Sequence, residues 1–401
     1  MIGFDPTEDQ KAMQGAVAQL AKTTLRPRIR EFEKLRGLPD DVRAAARDMG
    51  LGAVALPESL GGGGLGMTTA VLLEEEVAYG DPAAAFAFSG PHALGIAAWE
   101  LGTEEQAKRI LAPFLGSDEK VGAIAWGERK AVADRPGLAT TATRDGDAWR
   151  LDGEKAYVLN ADRADGFLVF AQVDAAKGWK GLGAFYVAKS AAGVKVLPRV
   201  QTLGLDAASF GGLSLSGVKV DDADRLLGGA DFDAALVRFF AKNALLIAAR
   251  SVGLARAAFD VTLEYCDTRK AFGKPIGHFQ AVAFTLSDRA MDVEAARALL
   301  WRAASEWDAG QVKEALRSTG WAVSFAHEAA MRGGDDAVQL HGGSGFMRDY
   351  PVEKMMRDAK QLQLCGMTAE HADQLAAAVE LGLPLDPGLV LPSAESQNAF
   401  V

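Results

Sequence analysis

The chain has 401 residues, a length that predicts two or three domains at about 150 residues each. With 49% apolar and 24% charged residues, it has the composition of a globular protein, which excludes a disordered, collagen-like or disulfide-stapled chain. The net charge of −10, without a basic tract, argues against nucleic acid as a partner. No apolar run reaches the roughly 18 residues of a membrane helix, and the first residues lack a signal-peptide pattern. We therefore expect a cytoplasmic protein that binds no membrane.

Cysteine, histidine and glycine usage refine this class. Cys266 and Cys365 are the only cysteines and lack CxxC spacing, which predicts reduced core thiols instead of a disulfide or metal site. The five histidines are scattered without metal-ligand spacing. Glycine is unusually frequent, at 44 of 401 residues, so the positions of the glycines are informative.

Helical periodicity dominates the first third and predicts an N-terminal helical domain over residues 1–119. Thr7 and Gln10 form a capping-box pattern before the first helix. Helices are predicted at 13–27, 39–50, 68–79, 82–101 and 103–114. The glycine run at 61–64 lacks the GK[ST] ending of a phosphate-binding loop, and the glutamates at 74–76 are interpreted as a charged patch on a helix.

From Lys120 the period changes to that of strands. Short apolar or alternating runs occur at 121–126, 140–144, 149–152, 167–173, 183–188, 194–197 and 213–220. Asp145-Gly146 is a hairpin turn signal between two of them. Because no helical stretch intervenes, residues 120–225 are predicted to form an antiparallel β-barrel or sandwich.

Helical periodicity returns in the last third. Predicted helices at 232–269, 279–308, 312–340, 351–364 and 368–381 indicate a C-terminal helical bundle over 226–382, and 383–401 form an extended or disordered tail. The predicted fold class is therefore α+β and multidomain, with a β domain between two helical domains.

Several motifs fit this three-part layout. They are ALPE at 55–58, LGTEEQ at 101–106, RKAFGKPI at 269–276 with Gln280, and QLHGGSGF at 339–346. Together they resemble the acyl-CoA dehydrogenase family over nearly the whole chain, from about residue 51 to 381. The resemblance implies a tetrameric flavoprotein with FAD between two subunits. In that family a carboxylate removes the proton α to an acyl-CoA thioester while the β-hydrogen leaves as hydride to the flavin, and electrons pass to an electron-transfer flavoprotein.

The family's contacts to a neighbouring subunit's FAD are intact in this sequence. Arg269 matches the residue that faces the pyrophosphate, and Phe272 matches one that lines the adenine region. In the QxxGG motif, Gln339 supplies a side-chain amide, and Gly342 and Gly343 let the cofactor approach the backbone closely. We call this set the flavin-donating end: Arg269, Phe272, Gln280, Gln339, Gly342 and Gly343.

The contacts that a family member makes with its own flavin are mostly lost. GERKAVAD at 127–134 replaces the TEPGAGSD signature, and YVLNA at 157–161 replaces WITNG. Tyr157 keeps an aromatic ring and Thr368 a hydroxyl, but hydroxyls are missing at Gly127 and Leu159. We call this set the flavin-holding side: Gly127, Val132, Ala133, Tyr157, Leu159 and Thr368.

A catalytic base is also missing at both positions where the family places one. These positions correspond to Gly366 and Asn243, neither of which accepts a proton at neutral pH. Glu370 and His371 lie one turn beyond Gly366 and are expected to point elsewhere, and a thiolate at Cys365 is disfavoured in an apolar helix. We therefore predict no catalytic residue in this chain.

These losses leave three hypotheses. The first is one subunit of a heteromeric acyl-CoA dehydrogenase, resembling members of bacterial steroid side-chain breakdown, in which a homologous partner holds the flavin and base. The second is a self-sufficient homotetrameric dehydrogenase or flavin monooxygenase with a divergent site. The third is a cofactor-free structural homologue. If an acyl pocket exists, its expected wall residues are Phe86, Phe88, Trp99, Phe239 and Phe240.

Overall fold

The computed structural model describes residues 5–116, 118–129, 136–229 and 231–385. The chain folds into N-terminal helices, a central β-sheet and a C-terminal helical bundle, which confirms the predicted fold class. Val132, Ala133 and the tail from 386 onward lie outside the described residues. Within the described ranges, none of the helices combines the length and the apolar character needed to cross a membrane.

Seven helices form the described N-terminal part. They are α1 (Glu8–Leu20), α2 (Ile29–Leu35), α3 (Asp40–Asp48), α4 (Gly66–Gly80), α5 (Pro82–Ala87), α6 (His92–Leu101) and α7 (Glu104–Leu111). The predicted capping box is confirmed, since the Thr7 hydroxyl accepts the Gln10 N–H at 3.2 Å. The chain stays helical past the predicted end at Pro27, because this proline lies at the start of a 3₁₀ turn, where no N–H is needed.

The predicted single helix over 82–101 is wrong, because α5 and α6 are separate helices. Gly90 takes a φ of +112° and Pro91 follows it, so the helix cannot continue. The freed backbone pairs with the start of the sheet instead: the Gly90 N–H donates to the Lys120 carbonyl at 2.8 Å. At this break the N-terminal helices contact the start of the β domain.

Among the described residues the central sheet has eight strands. Seven of them lie in the order β6-β7-β3-β2-β4-β5-β8, and β1 pairs with β4. They are β1 (Gly122–Ala125), β2 (Thr141–Asp145), β3 (Ala148–Leu159), β4 (Gly166–Gln172), β5 (Leu182–Ala188), β6 (Val194–Leu197), β7 (Phe210–Asp221) and β8 (Arg225–Leu226). The hairpin turn predicted at Asp145-Gly146 is confirmed by the pair Asp145 and Ala148. Most neighbours are antiparallel, but β1 and β2 pair with β4 in parallel, so the sheet is mixed.

Within residues 231–385 the C-terminal bundle has five helices: α8 (Phe232–Thr268), α9 (Gln280–Asp308), α10 (Val312–Leu340), α11 (Val352–Leu362) and α12 (Ala369–Leu381). Two short strands, β9 (Lys270–Ala271) and β10 (Lys274–Pro275), form a hairpin between α8 and α9. The 37-residue α8 contributes to two hydrophobic cores, one with α4 and α10 and the other with α6, α7 and β4. It therefore links all three parts of the chain and forms a wall of the site between them.

Candidate functional site

The flavin-donating end is assembled where α8 and α10 finish. The Tyr265 ring stacks on His341 with 4.1 Å between ring centroids, and its hydroxyl donates to the His341 carbonyl at 3.3 Å. Arg269 follows Tyr265 by one turn, and Gln339 and Gly342 flank His341 in the chain. The structure thus brings the predicted arginine and the QxxGG motif to one end of the bundle.

The hairpin after α8 carries the most exposed ring of this end. Phe272 lies at the tip of the β9–β10 hairpin and is 96% exposed. Arg269 and Gln280, before and after the hairpin, are also exposed. The hairpin is closed by the Ile276 N–H, which donates to the Arg269 carbonyl at 2.8 Å. An aromatic ring with this exposure adds little to the core of its own chain and is available to a neighbouring molecule.

Two glycines at this end face open space. A Cβ added at Gly342 or Gly343 would meet nothing within 4 Å, whereas one at Gly345 would overlap the Val338 carbonyl. Packing within the chain therefore explains Gly345 but not Gly343. An uncrowded backbone at the same end of the bundle as an exposed guanidinium suits close approach by a diphosphate, so this end fits the FAD contacts expected of it.

The flavin-holding side is different. A Cβ added at Gly127 would lie 2.8 Å from the Ala156 carbonyl oxygen, so a threonine there would require a backbone shift. Leu159 packs against the main core and offers no hydroxyl, and the Thr368 hydroxyl caps α12 by accepting the His371 N–H at 3.4 Å. Tyr157, 60% exposed at a bulge of β3, presents a ring surface. The described residues of this side do not fit a flavin held by this chain alone.

The segment after β1 is fixed by a buried ion pair beside Gly127. The Glu128 carboxylate accepts the Ala139 and Thr140 N–H groups at 2.7 and 2.9 Å and lies 2.8 Å from Lys155 Nζ. Lys155 is fully buried, and burial lowers its pKa to about 8 despite the carboxylate. These bonds hold Gly127 in its present place.

The two positions expected for a base are neighbours in space. A Cβ added at Gly366, in the turn between α11 and α12, would lie 3.8 Å from the Asn243 amide nitrogen and 2.6 Å from Ile247 Cδ1. Burial raises the pKa of the Cys365 thiol to about 12. The pKa of the Glu370 carboxyl is lowered by hydrogen bonds from the Glu370 N–H and the Thr368 hydroxyl. Neither group is therefore suited to accept a proton at this point.

A cavity of about 40 Å³ adjoins Asn243, between residues 51–56, α4, α6 and α8. Its charged or titratable lining residues are Glu74, His92 and Arg250, which the sequence alone did not single out as site residues. Arg250 Nε bonds Glu74 Oε2 at 2.8 Å. The partners are 176 residues apart in the chain, so no local pattern reveals the pair.

The interpretation of the glutamates at 74–76 as a charged patch is wrong. Glu75 and Glu76 are buried against α8 and α9: Glu75 bonds Arg256 and Arg297 at 2.7 and 2.9 Å. A helix buried on both sides needs such partners for its carboxylates.

The expected wall residues divide into separate groups. Phe88 lines the cavity, and Phe86 lies 4.1 Å below the Arg250 guanidinium. Phe88 is thus the one expected wall residue among the lining residues. Trp99 packs against Lys242, and Phe239 and Phe240 pack against Phe170.

The fold and the exposed flavin-donating end are those of a flavoprotein oxidoreductase with helical domains on either side of a β domain. Comparison with known proteins identifies the family. Models of the N-terminal, middle and C-terminal domains of acyl-CoA dehydrogenases match residues 7–118, 123–218 and 232–379. The chain therefore belongs to the acyl-CoA dehydrogenase family.

Individual relatives match over nearly their full lengths. A probable acyl-CoA dehydrogenase, FadE25 of Mycobacterium tuberculosis, is 34% identical and covers 90% of this chain and 92% of its own length. Butyryl-CoA dehydrogenase from Megasphaera elsdenii superimposes with a TM-score of 0.87 at 29% identity, covering 95% of this chain and all of that one. A glutaryl-coenzyme A dehydrogenase in complex with glutaryl-CoA gives a TM-score of 0.88 at 28% identity, covering 96% and 98%.

Proposed function

We propose that this chain is one subunit of an acyl-CoA dehydrogenase in which it contributes half of an FAD site at a subunit interface. A homologous partner chain supplies the flavin-holding side and the catalytic base. The observation that carries this proposal is the contrast between the exposed, complete flavin-donating end and two base positions, Gly366 and Asn243, that hold no carboxylate. The reaction is the α,β-dehydrogenation of an acyl-CoA thioester.

Each residue of the flavin-donating end has a task in this proposal. The Arg269 guanidinium binds the pyrophosphate of the partner's FAD, since its fork matches paired phosphate oxygens. Phe272 covers the adenine region, Gln339 donates an amide hydrogen bond, and Gly343 lets the cofactor approach the backbone. When bound, FAD supplies the hydride acceptor that this reaction needs.

The assembly and pathway are part of the same proposal. The exposed Phe272 ring supports a tetramer built with the homologous chain, and the family resemblance supports an electron-transfer flavoprotein as the electron acceptor. Fatty acid or steroid catabolism in the cytoplasm is the corresponding setting.

A second candidate is a homotetramer that binds FAD by itself, as a dehydrogenase with an unusual base or as a flavin monooxygenase. The exposed ring of Tyr157 favours it, because this ring keeps a surface for a flat cofactor on the flavin-holding side. A monooxygenase also needs no base at Gly366. A cofactor-free homologue is the third candidate.

The visible absorption of the purified protein separates the three. We expect a colourless chain when it is produced alone and a yellow complex when it is co-produced with a genomically adjacent homologue. A yellow chain in the absence of a partner contradicts the shared site and supports the homotetramer. Colourless protein in both preparations supports the cofactor-free alternative.

A further inference from the structure

The β9–β10 hairpin is a positively charged surface on an acidic chain. The chain carries a net charge of −10, yet residues 269–274 contain Arg269, Lys270 and Lys274 and no carboxylate. All three side chains are exposed, and none of them forms an ion pair with a carboxylate in the part of the chain that the structure describes. On the neighbouring α9, by contrast, Arg289 pairs with Asp292 at 3.1 Å. Cations left without acidic partners at one end of the bundle favour an anionic ligand there.

The hairpin turn sets which of these cations share a face. Phe272 and Gly273 form the tip with positive φ angles of +51° and +84°. A two-residue loop with this backbone is a type I′ turn, which fixes the register of the strands on both sides. Ala271 is paired with Lys274, and Lys270 with Pro275. Because side chains alternate between the two faces of a strand, Lys274 lies on the face of Arg269 and Lys270 lies on the other.

Arg269 and Lys274 are diagonal neighbours on their common face. The Ile276 N–H donates to the Arg269 carbonyl at 2.8 Å, so the pairing of the two strands continues one residue beyond the hairpin. Arg269 is therefore opposite Ile276, two residues from Lys274. Side chains in this relation start about 7–8 Å apart, which lets two long cationic side chains converge on one small anion.

The Lys274 ammonium group is oriented by residues that follow the hairpin. Its Nζ donates to the His278 carbonyl at 3.1 Å and lies 4.4 Å from the centre of the Phe279 ring. Phe279 in turn meets the Phe272 ring edge-on, with 6.2 Å between the ring centroids. An ammonium group has three hydrogens to donate, so donors remain for the oxygen of a ligand. Lys274 is thus held beside the ring that is expected to line the adenine region.

The diphosphate expected at this end has a negative charge on each phosphate. The Arg269 guanidinium supplies one positive charge, and its planar fork matches paired phosphate oxygens. Lys274 supplies a further positive charge from the same face as a compact ammonium group. Lys270 projects from the opposite face and is not placed to do so.

We infer that Lys274 is a second phosphate-binding residue of the flavin-donating end, which neutralises the diphosphate of a bound FAD together with Arg269. The inference rests on the proposed function, in which this end contacts an FAD held by a partner chain. It adds a residue to which the motif comparison gave no role.

The test measures FAD affinity in the preparation that retains FAD. The cofactor is removed, FAD is titrated back, and its binding is followed by flavin fluorescence at several salt concentrations. We expect Lys274→Gln to weaken FAD binding about tenfold, the effect of one hydrogen bond to a charged group. Lys274→Arg keeps the charge and should retain most of the affinity. Lys270→Gln is the matched control, because it removes the same charge from the other face of the same hairpin, and it should leave FAD affinity nearly unchanged.

The salt dependence separates a charge contact from a change in hairpin packing. Salt screens an exposed contact between opposite charges, so the FAD affinity of the wild type should fall more steeply with ionic strength than that of Lys274→Gln. Loss of the contact with Phe279 alone would weaken binding by the same factor at every salt concentration. Because the substituted side chains are exposed, we expect no change in unfolding.

Equal FAD affinities of the wild type and Lys274→Gln overturn the inference and leave the proposed function intact. Equal weakening by Lys274→Gln and Lys270→Gln also overturns it, since the effect would then reflect the overall charge of the hairpin. A loss that does not vary with salt assigns Lys274 to packing and contradicts its role as a phosphate ligand. If no preparation binds FAD, the proposed function fails together with the inference.

Discussion

Glycines on the two sides of the proposed flavin site have opposite surroundings. At Gly343, on the flavin-donating end, a Cβ would meet nothing within 4 Å. At Gly127 and Gly366 a Cβ would come within 2.8 Å of a carbonyl oxygen and 2.6 Å of a side-chain carbon. Backbone contact at Gly127 and a φ of +68° at Gly366 thus account for glycine at these two positions, whereas nothing within the chain accounts for it at Gly343.

The difference bears on which surface of the chain is proposed to face another molecule. The open surroundings of Gly343 leave room for a group outside the chain to approach the backbone. Around Gly127 and Gly366, by contrast, an added Cβ already meets neighbouring atoms of the same chain. This contrast supports the proposal that the chain serves a partner's cofactor.

The largest effect is expected at Gly366. Replacing it by Glu places a side chain at a φ of +68° and against Ile247 Cδ1. We expect the free energy of unfolding, measured by urea denaturation, to fall by roughly 2–5 kcal/mol from backbone strain and overpacking. The matched change Gly343→Glu is expected to stay within about 0.5 kcal/mol, as for an open surface position.

Ile247→Val tests whether crowding is the cause, because valine lacks the Cδ1 atom. By itself this change is expected to cost about 1 kcal/mol as a buried methyl deletion. In the Gly366→Glu background, the same Ile247→Val change should lower the free energy of unfolding by less than it does alone, or raise it. A double-mutant cycle measures this coupling. Strictly additive effects would show that Ile247 does not close the position.

The next effect concerns acid stability around the same turn. His327 contacts the residue after Gly366: its Nε2 lies 3.3 Å from the Met367 carbonyl oxygen, and its Nδ1 lies 2.9 Å from the Ser251 hydroxyl. Burial lowers its pKa to about 4, so between pH 6.5 and 4 the unfolded chain binds a proton that the folded chain does not.

The His327 contribution to stability is therefore complete above pH 6.5 and is lost as the pH falls toward 4, by at most about 3 kcal/mol. We expect His327→Gln to be less stable at neutral pH but to show a flatter dependence over this window, as followed by denaturation at several pH values. An unchanged pH profile in the variant would assign the acid sensitivity to other groups.

The residues of the flavin-donating end could be located from the sequence, whereas the cavity beside Asn243 could not. The motifs at 269–276 and 339–346 are contiguous, so a linear match identifies Arg269 and Gly343 directly. The Glu74–Arg250 pair joins two helices, and its members are 176 residues apart in the chain. No local sequence pattern near either residue predicts the pairing. The helix break at Gly90 and the parallel pairing of β1 with β4 likewise depend on long-range backbone hydrogen bonds.

A smaller effect, on binding, is expected at Arg269. In the complex with the partner chain, Arg269→Gln removes the charge that the proposal places on the pyrophosphate. We expect a 10- to 100-fold loss of FAD affinity, the range of a hydrogen bond to a charged group, with no change in unfolding because the side chain is exposed. Arg269→Lys keeps the charge without the planar fork, so its FAD affinity should lie between those of the wild type and Arg269→Gln. Unchanged FAD content in the Gln variant would remove Arg269 from the site.

The smallest change gives the sharpest comparison. Gly343→Ala adds one methyl group in open space, so the free energy of unfolding should move by no more than about 0.5 kcal/mol. If FAD approaches the backbone at this point, the same methyl group lowers FAD occupancy of the complex, measured by absorbance at the flavin band. Gly15→Ala is the matched control, because Gly15 is equally open but lies within α1, far along the chain from the proposed site. It should leave FAD occupancy unchanged. Loss of stability in Gly343→Ala would mean that the chain itself needs this glycine, and the contrast between the two sides would then no longer indicate a partner's cofactor.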